Sequence, residues 1–305
     1  MANRISVVIC TWNRADLLDQ TLHSLAQVSV PVGLDWELLV VDNRSPDHTS
    51  AVLERHTRAG HLPLRPLYEA QQGVAHARNL ALAHANGDWL VWTDDDVRFA
   101  PGWLNAIKSA CAEYPQASAF GGVVAPWFPV APDPDLLAAF PSLANGFCGT
   151  NHGPTARPLT DDEHLFTVNM ACRRSAIGAE RFNTTLGRIG SKQGGGVDTE
   201  FLARIRPAGP VWWIPDMRVE HYVEPQRMTL DYARRFCAEA YHIHDPHADP
   251  APRWAGVPRW LFKQYVTARL AAVGHWWLGQ RRQHLVQLLL AWRSAGMIRA
   301  YRAVG

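Results

Sequence analysis

The sequence predicts an α/β protein with a mostly parallel central sheet flanked by helices. Three observations carry this. Short apolar, β-branched runs alternate with amphipathic helical patterns through the first half, the signature of strands joined by crossover helices. Polar residues stand directly after three of those runs. The 305 residues are 47% hydrophobic and 19% charged, which suits one large or two smaller globular domains and excludes disorder.

The elements follow in order. ISVVIC (5–10) is the first strand. Residues 15–27 form a helix with Leu17, Leu18, Leu22 and Leu25 on one face. WELLVVD (36–42) is a buried strand, and DHTSAVLERH is a helix that Asp47 would cap. LRPLYEA (64–70) is a weaker strand, GVAHARNLALAHAN (73–86) a helix and DWLVWTD (88–94) the fourth strand. APGWLNAIKSACAEY is the next helix, with Pro101 expected in its first turn. AFGGVVAPW (119–127) reads as one strand, 128–164 as a long loop or insertion, and FTVNMACRR (166–174) as a strand. GRIGSKQGGG (187–196) carries five glycines and precedes the helix VDTEFLARI (197–205). VWWIPDMRVEHYV (211–223) holds strand segments broken by Pro215, and 229–244 is a helix. From Pro258 the chain is helical and aromatic.

Charge divides the chain. Residues 250–305 contain nine Arg or Lys and no Asp or Glu, whereas 1–249 carry 21 basic and 28 acidic groups. The tail also holds Trp254, Trp260, Trp276, Trp277 and Trp292. It reads either as a basic surface for an anionic bilayer or as a helical subdomain that buries its Trp and Leu and leaves Arg outside. No nucleic-acid-binding motif is present. The five cysteines show no CxxC spacing, so neither a disulfide framework nor a cysteine-ligated zinc site is expected, and a reducing compartment fits. No signal-peptide core and no spanning apolar stretch are seen. These features predict a cytoplasmic protein, with the tail as a route to the membrane face.

In parallel sheets ligands bind beyond the carboxyl ends of the strands. Thr11 and Asn13 follow the first strand, Asp42, Asn43 and Ser45 the second, and Asp94, Asp95 and Asp96 the fourth. Each cluster alone could be turn or cap chemistry; three on one rim predict a site. Strand alternation, carried through to Asp96, would point Asp94 and Asp96 together and Asp95 away. Such a pair suits a hard dication, Mg²⁺ or Mn²⁺ before Zn²⁺.

TWNR (11–14), VVDNRS (40–45), GVAHARN (73–79), WTDDD (92–96), VNMACRRS (168–175), VDTEF (197–201) and VEHYV (219–223) stand in the order and spacing of family 2 glycosyltransferases, which the chain resembles over roughly residues 4–245. The resemblance implies the GT-A fold, a Rossmann-like nucleotide-diphospho-sugar transferase, with a C-terminal helical extension. It implies an inverting, metal-dependent enzyme using a nucleotide-sugar donor, with UDP expected, and a glycan or lipid-linked acceptor, in polysaccharide or glycolipid synthesis. Residues 1–249 would be the catalytic domain, 1–127 its nucleotide half and 128–249 its acceptor half, and 250–305 the extension.

By the same resemblance Thr11, Asn13, Arg14, Asp42, Asn43, Arg78, Asp94 and Asp95 would bind the nucleotide, with Asn79 supporting Arg78. Asp96 would be the main metal ligand and His221 a second one. Asp198 would be the general base. Val197 stands where the family usually has an acid, and Glu200 is the competing base. Asn169 would lie near the acceptor, and Arg188 and Lys192 on a lid. The alternatives are a sugar-phosphate nucleotidyltransferase, which would want a glycine-rich basic loop that TWNRADLL lacks, and a non-catalytic sugar-nucleotide or glycan-binding protein.

Overall fold

A computed structural model describes residues 4–139, 149–187, 196–239 and 250–304. The alternation is present: β1 (Ile5–Thr11), α1 (Ala15–Ala26), β2 (Trp36–Asp42), α2 (Thr49–Ala59), β3 (Leu64–Tyr68), α3 (Val74–His84) and β4 (Trp89–Asp94). There follow β5 (Val97–Phe99), α4 (Trp103–Glu113), β6 (Ala119–Gly121), β7 (Val124–Trp127), α5 (Pro134–Ala139), β8 (Arg157–Pro158), β9 (Asn169–Arg173), α6 (Arg174–Ile177), α7 (Val197–Ile205), β10 (Val211–Trp213) and β11 (Val219–Tyr222). The chain ends with α8 (Leu230–Glu239), β12 (Arg253–Trp254), β13 (Val257–Pro258), α9 (Arg259–Trp277) and α10 (Arg281–Val304). It forms two compact units, one of Met1–Trp127 with Thr150–Tyr222, the other of Phe128–Gly149 with Val223–Gly305.

The first unit is built on an eight-stranded sheet of order β3-β2-β1-β4-β9-β6-β10-β8. The first four strands of that order are mutually parallel, and β9 runs antiparallel between β4 and β6. Period-two alternation sorts each strand between two cores. Ile5, Val7 and Ile9 pack with Leu38, Val40 and Val91 under α1 and α4, through Leu18, Leu22, Trp103 and Ile107. Val8, Leu39, Val41, Leu90 and Trp92 face α3 and α7, through Ala77, Ala81, Phe201 and Ile205. Each fully buried Leu or Ile contributes about 1.5–3 kcal/mol, so both helical layers are fixed by side chains the alternation selects.

Several expectations are corrected in detail. Residues 119–127 are not one strand: β6 lies in the main sheet and β7 in a second sheet of order β5-β11-β7. A Cβ on Gly122, between them, would sit 1.9 Å from the Met217 carbonyl oxygen, so only glycine lets the backbones pass there. The segment 128–164 is not all loop, since it contains α5 and β8. Pro101 lies ahead of α4, which starts at Trp103. Asp47 serves two helices, accepting the amide of Thr49 at the start of α2 and that of Ala15 at the start of α1.

In the second unit Leu285 and Leu289 of α10 pack with Leu136 and Ala139 of α5 and Ala233 and Cys237 of α8. Leu261 of α9 packs with Ile298 and Tyr301 of α10. Arg281 pairs with Asp133 and Asp135. No helix among the described residues is long and apolar enough to cross a membrane.

Candidate active site

The parallel register sets the rim. Thr11 lies beside Asp42, and Cys10 beside Asp94. β4 ends at Asp94, and Asp95 and Asp96 form a turn leading into β5. Strand geometry therefore does not persist to Asp96, and a turn does the sorting instead. Asp95 is drawn into the fold, its Oδ2 accepting the Thr11 hydroxyl at 2.6 Å and its carbonyl the Thr21 hydroxyl at 2.9 Å. The Thr21 oxygen also accepts the Val97 amide, so one buried threonine shapes the whole turn.

Asp96 faces Arg14 and His221. Its Oδ2 accepts from Arg14 Nη1 at 2.5 Å, and its Oδ1 lies 3.0 Å from His221 Nε2. Arg14 also reaches Asp95 Oδ1 at 3.3 Å. His221 comes from β11, whose register sets it against Val97 of β5. One donor atom each from Asp94, Asp96 and His221 lies within 4.8 Å of the others. Burial, and after it the Asp96 charge, pushes the Asp94 carboxyl above its ordinary range. Burial lifts Asp95 to about 7 against the pull of Arg14. Crowding of this kind is relieved by protonation or by a bound cation, and two carboxylates with one imidazole suit Mn²⁺ or Mg²⁺. The residues thus fit the metal the sequence implies. The Cys10 thiol is pushed up by burial to about 12, which removes a competing thiolate.

A second set lies within electrostatic range of the first. Arg78, buried on α3, donates to Asp198 Oδ1 at 2.7 Å and to the Thr167 hydroxyl at 2.5 Å. Asp198 Oδ2 accepts the amide and hydroxyl of Thr167 at 3.2 and 2.9 Å. Burial works against the Arg78 charge, but Asp198 first and Asp94 second hold its pKa above the ordinary value. Thr167 had no signal in the sequence, being one β-branched residue in a strand-like run.

The remaining expected residues divide. Asn13 adopts φ 55°, and its amide donates to Ser45 Oγ at 3.0 Å; Asp42 Oδ1 accepts the Ser45 amide at 2.9 Å. These contacts tie the loop after β1 to the loop after β2 at the rim. Asn43 donates to the carbonyls of Glu69 and Gln71 and accepts the Gly73 amide, so it braces the loop before α3. Asn79 does the same for Phe182. Asn169, expected near the acceptor, is buried and bonded to Trp103, Val123 and Met217. Glu200 pairs with Arg204 on α7, away from Arg78's contacts. Arg188 and Lys192 lie outside the described residues.

Comparison with known proteins agrees with this fold. Residues 6–126 match the family model of glycosyl transferase family 2. Over 247 residues the chain is 27% identical to the succinoglycan biosynthesis protein ExoM of Rhizobium meliloti, covering 78% of this chain and 74% of that one. A structure of Staphylococcus aureus TarS in complex with UDP-GlcNAc superposes with a TM-score of 0.55 at 16% identity, over 77% of this chain and 65% of that one. The mannosyltransferase PcManGT of Pyrobaculum calidifontis, in complex with GDP-Man and Mn²⁺, gives 0.56 at 20% identity, over 100% and 76%. These structural likenesses bear on the fold alone. The family likeness rests on residues 6–126, the part of the chain that the family model matches.

Proposed function

We propose that the protein is an inverting glycosyltransferase that moves a sugar from a nucleotide-diphosphate donor, UDP-linked, to an acceptor hydroxyl. The observation that carries this is the meeting, at one sheet rim, of the Asp94–Asp96–His221 cluster with the Arg78–Asp198 pair. Thr11, Asn13, Arg14 and Asp42 would line the nucleotide, with Asn43 bracing their loop. Asp94, Asp96 and His221 would hold Mn²⁺ or Mg²⁺, which supplies Lewis-acid stabilisation to the departing diphosphate. Asp198 accepts the acceptor hydroxyl's proton as that oxygen bonds to the anomeric carbon. The bond from that carbon to the diphosphate oxygen breaks, its electron pair leaves with the nucleotide, and one displacement inverts the configuration.

The kinship with a succinoglycan biosynthesis protein supports an acceptor that is a growing glycan, free or lipid-linked. The exposed basic tail supports work at the cytoplasmic membrane face. Asp198's pairing with Arg78 and Thr167 favours a second reading, a sugar-nucleotide-binding protein whose carboxylate is structural. Asp198→Asn separates the two: transfer collapses while UDP binding survives if Asp198 is the base, and persistent transfer removes that role. Manganese titration with UDP tests the metal, since UDP binding indifferent to both EDTA and Asp96→Asn would overturn it. A thermal-shift screen of nucleotide sugars identifies the donor, because a bound ligand raises apparent stability.

A further inference from the structure

Asp19 and His23 stand four residues apart on α1, so they share one face of the helix. That face meets His56 in the last turn of α2. His56 Nε2 lies 2.6 Å from Asp19 Oδ1, and His23 Nδ1 lies 3.2 Å from the same oxygen. The two imidazoles meet edge to face with centroids 4.8 Å apart. One donor atom from each of the three residues lies within 4.8 Å of the other two. None of them takes part in the chemistry assigned to the sheet rim.

We propose that Asp19, His23 and His56 form a second metal site, for a borderline transition-metal dication of the Zn²⁺ class. The donor set is the reason. Two imidazoles and one carboxylate select Zn²⁺, Ni²⁺ or Cu²⁺, where an oxygen-rich cluster selects Mg²⁺ or Ca²⁺. His23 Nδ1 is 2.8 Å from the Asp19 carbonyl oxygen, which can only accept, so Nδ1 carries the proton and Nε2 the lone pair; His56 Nε2 donates to Asp19 Oδ1 in the metal-free chain, and metal binding displaces that proton. A backbone carbonyl holding the opposite ring nitrogen is the usual support of a metal-bound histidine. His56 is buried at 9% exposure, which gives the site one rigid wall, while His23 stands at its open side. The fourth position falls to water.

Arg55 Nη2 lies 2.6 Å from Asp19 Oδ1 and is the cation that competes. It is more than half exposed, so it can leave. His23 and His56 each occupy the last turn of their helix, whereas Asp47 ties the helix starts. A metal would therefore clamp the far ends of α1 and α2, and these helices carry the loops of Asn13–Arg14 and Asp42–Ser45. The site would stiffen the nucleotide side of the rim from outside it.

The test is titration of the full chain with Zn²⁺ by calorimetry and with Co²⁺ by visible absorbance. His23→Ala, at an exposed position that tolerates substitution, should lose one equivalent of tight Zn²⁺, weakened about 10- to 100-fold or more, together with the intense visible band of low-coordinate Co²⁺. Asp96→Asn should leave that band intact. Arg55→Ala should tighten Zn²⁺ binding, since it removes the competing charge. Zn²⁺ should raise the Tm of the wild type more than that of His23→Ala, and Mn²⁺-supported transfer by His23→Ala should be unchanged. Equal Zn²⁺ stoichiometry and affinity in wild type and His23→Ala would overturn the proposal, as would weaker binding in Arg55→Ala.

Discussion

Arg14 donates to Asp96 at 2.5 Å and reaches Asp95 at 3.3 Å, so one guanidinium supplies counter-charge to two of three consecutive aspartates. Both carboxylates are buried and the Arg14 side chain is a quarter exposed. Removing one partner of a buried pair leaves the other uncompensated. Arg14→Leu should lower metal-free stability by about 2–3 kcal/mol, somewhat less than the cost for a fully buried pair. A dication at the same carboxylates should restore much of the loss. Denaturant melts with and without Mn²⁺ check this: the Mn²⁺-induced gain should be larger in Arg14→Leu than in the wild type. Equal gains would separate Arg14 from metal binding.

Thr167 is the hinge of the second set, accepting from Arg78 and donating to Asp198 through one hydroxyl. Thr167→Val keeps the shape but leaves those two partners short of a bond, which costs about 1–3 kcal/mol when the groups are buried. If Asp198 is the base, its orientation also loosens. The expected outcome is a fall in kcat larger than any change in the KM for the donor, because the Thr167 hydroxyl orients Asp198 directly and reaches the nucleotide residues only through Arg78. A change confined to KM would place Thr167 with the donor instead.

Much of the first unit was legible because its strands obey period two and its helices a single apolar face. Thr11, Asp42 and Asp94 could be placed on one rim because parallel register carries strand ends together. What stayed hidden was decided by contacts between distant segments. Strand alternation nominated Asp94 and Asp96 as partners, yet a turn held by Thr21 brings them together with His221. Asn43, Asn79 and Asn169 enter the site by the family resemblance, and nothing local says that each amide also bonds backbone far along the chain. Arg78 was expected at the donor, and its contact with Asp198, 120 residues away, follows from no local pattern.

Gly122 shows the same limit from the other side. The run AFGGVVAPW reads as one strand, and nothing local says that its glycines let the chain change sheets. Gly122→Ala would drive a Cβ to 1.9 Å from the Met217 carbonyl and 2.5 Å from that of Ile214. Both atoms are backbone and cannot turn aside, so the loss should reach about 3 kcal/mol or more. Since β11 pairs with β7, His221 would shift as well. Gly122→Ala protein is expected to melt well below the wild type and to lose Mn²⁺-dependent UDP binding; a wild-type Tm would refute the close approach.

Glu37 gives a pH prediction away from the site. Burial pushes its carboxyl up, but the Ser6 hydroxyl at 2.6 Å and the Asn86 amide at 2.6 Å more than offset this and hold it below the ordinary range. A carboxyl depressed in the folded state contributes stability that is present above its unfolded pKa of about 4.3 and lost as pH falls through the folded value. Glu37→Gln should therefore lower Tm at neutral pH and flatten the decline of Tm below about pH 4. Parallel curves for the two proteins would show that Glu37 does not contribute to the acid limb.

Of the two sequence readings of the tail, the core contacts of α10 fit the packed subdomain, and an exposed face of α9 puts the bilayer reading to the test. Leu285 and Leu289 of α10 are core residues of the second unit, so cutting the chain near Asp249 would open that core and report on folding. On α9 the side chains of Val266, Leu270, Val273 and Trp277 recur at 4, 3 and 4 residues and stand exposed, Leu270 at 68% and Trp277 at 82%. That spacing is one helical face, and the surrounding tail carries cations without a single acid. An apolar stripe edged by Arg and Lys suits an anionic bilayer surface. Leu270→Ser with Trp277→Ser should abolish flotation with vesicles rich in phosphatidylglycerol while leaving Tm unchanged, because neither side chain belongs to a core. Wild-type protein should float poorly with phosphatidylcholine alone, and more salt should weaken its binding to the anionic vesicles. Equal flotation of the double variant and the wild type would exclude this face as the membrane contact.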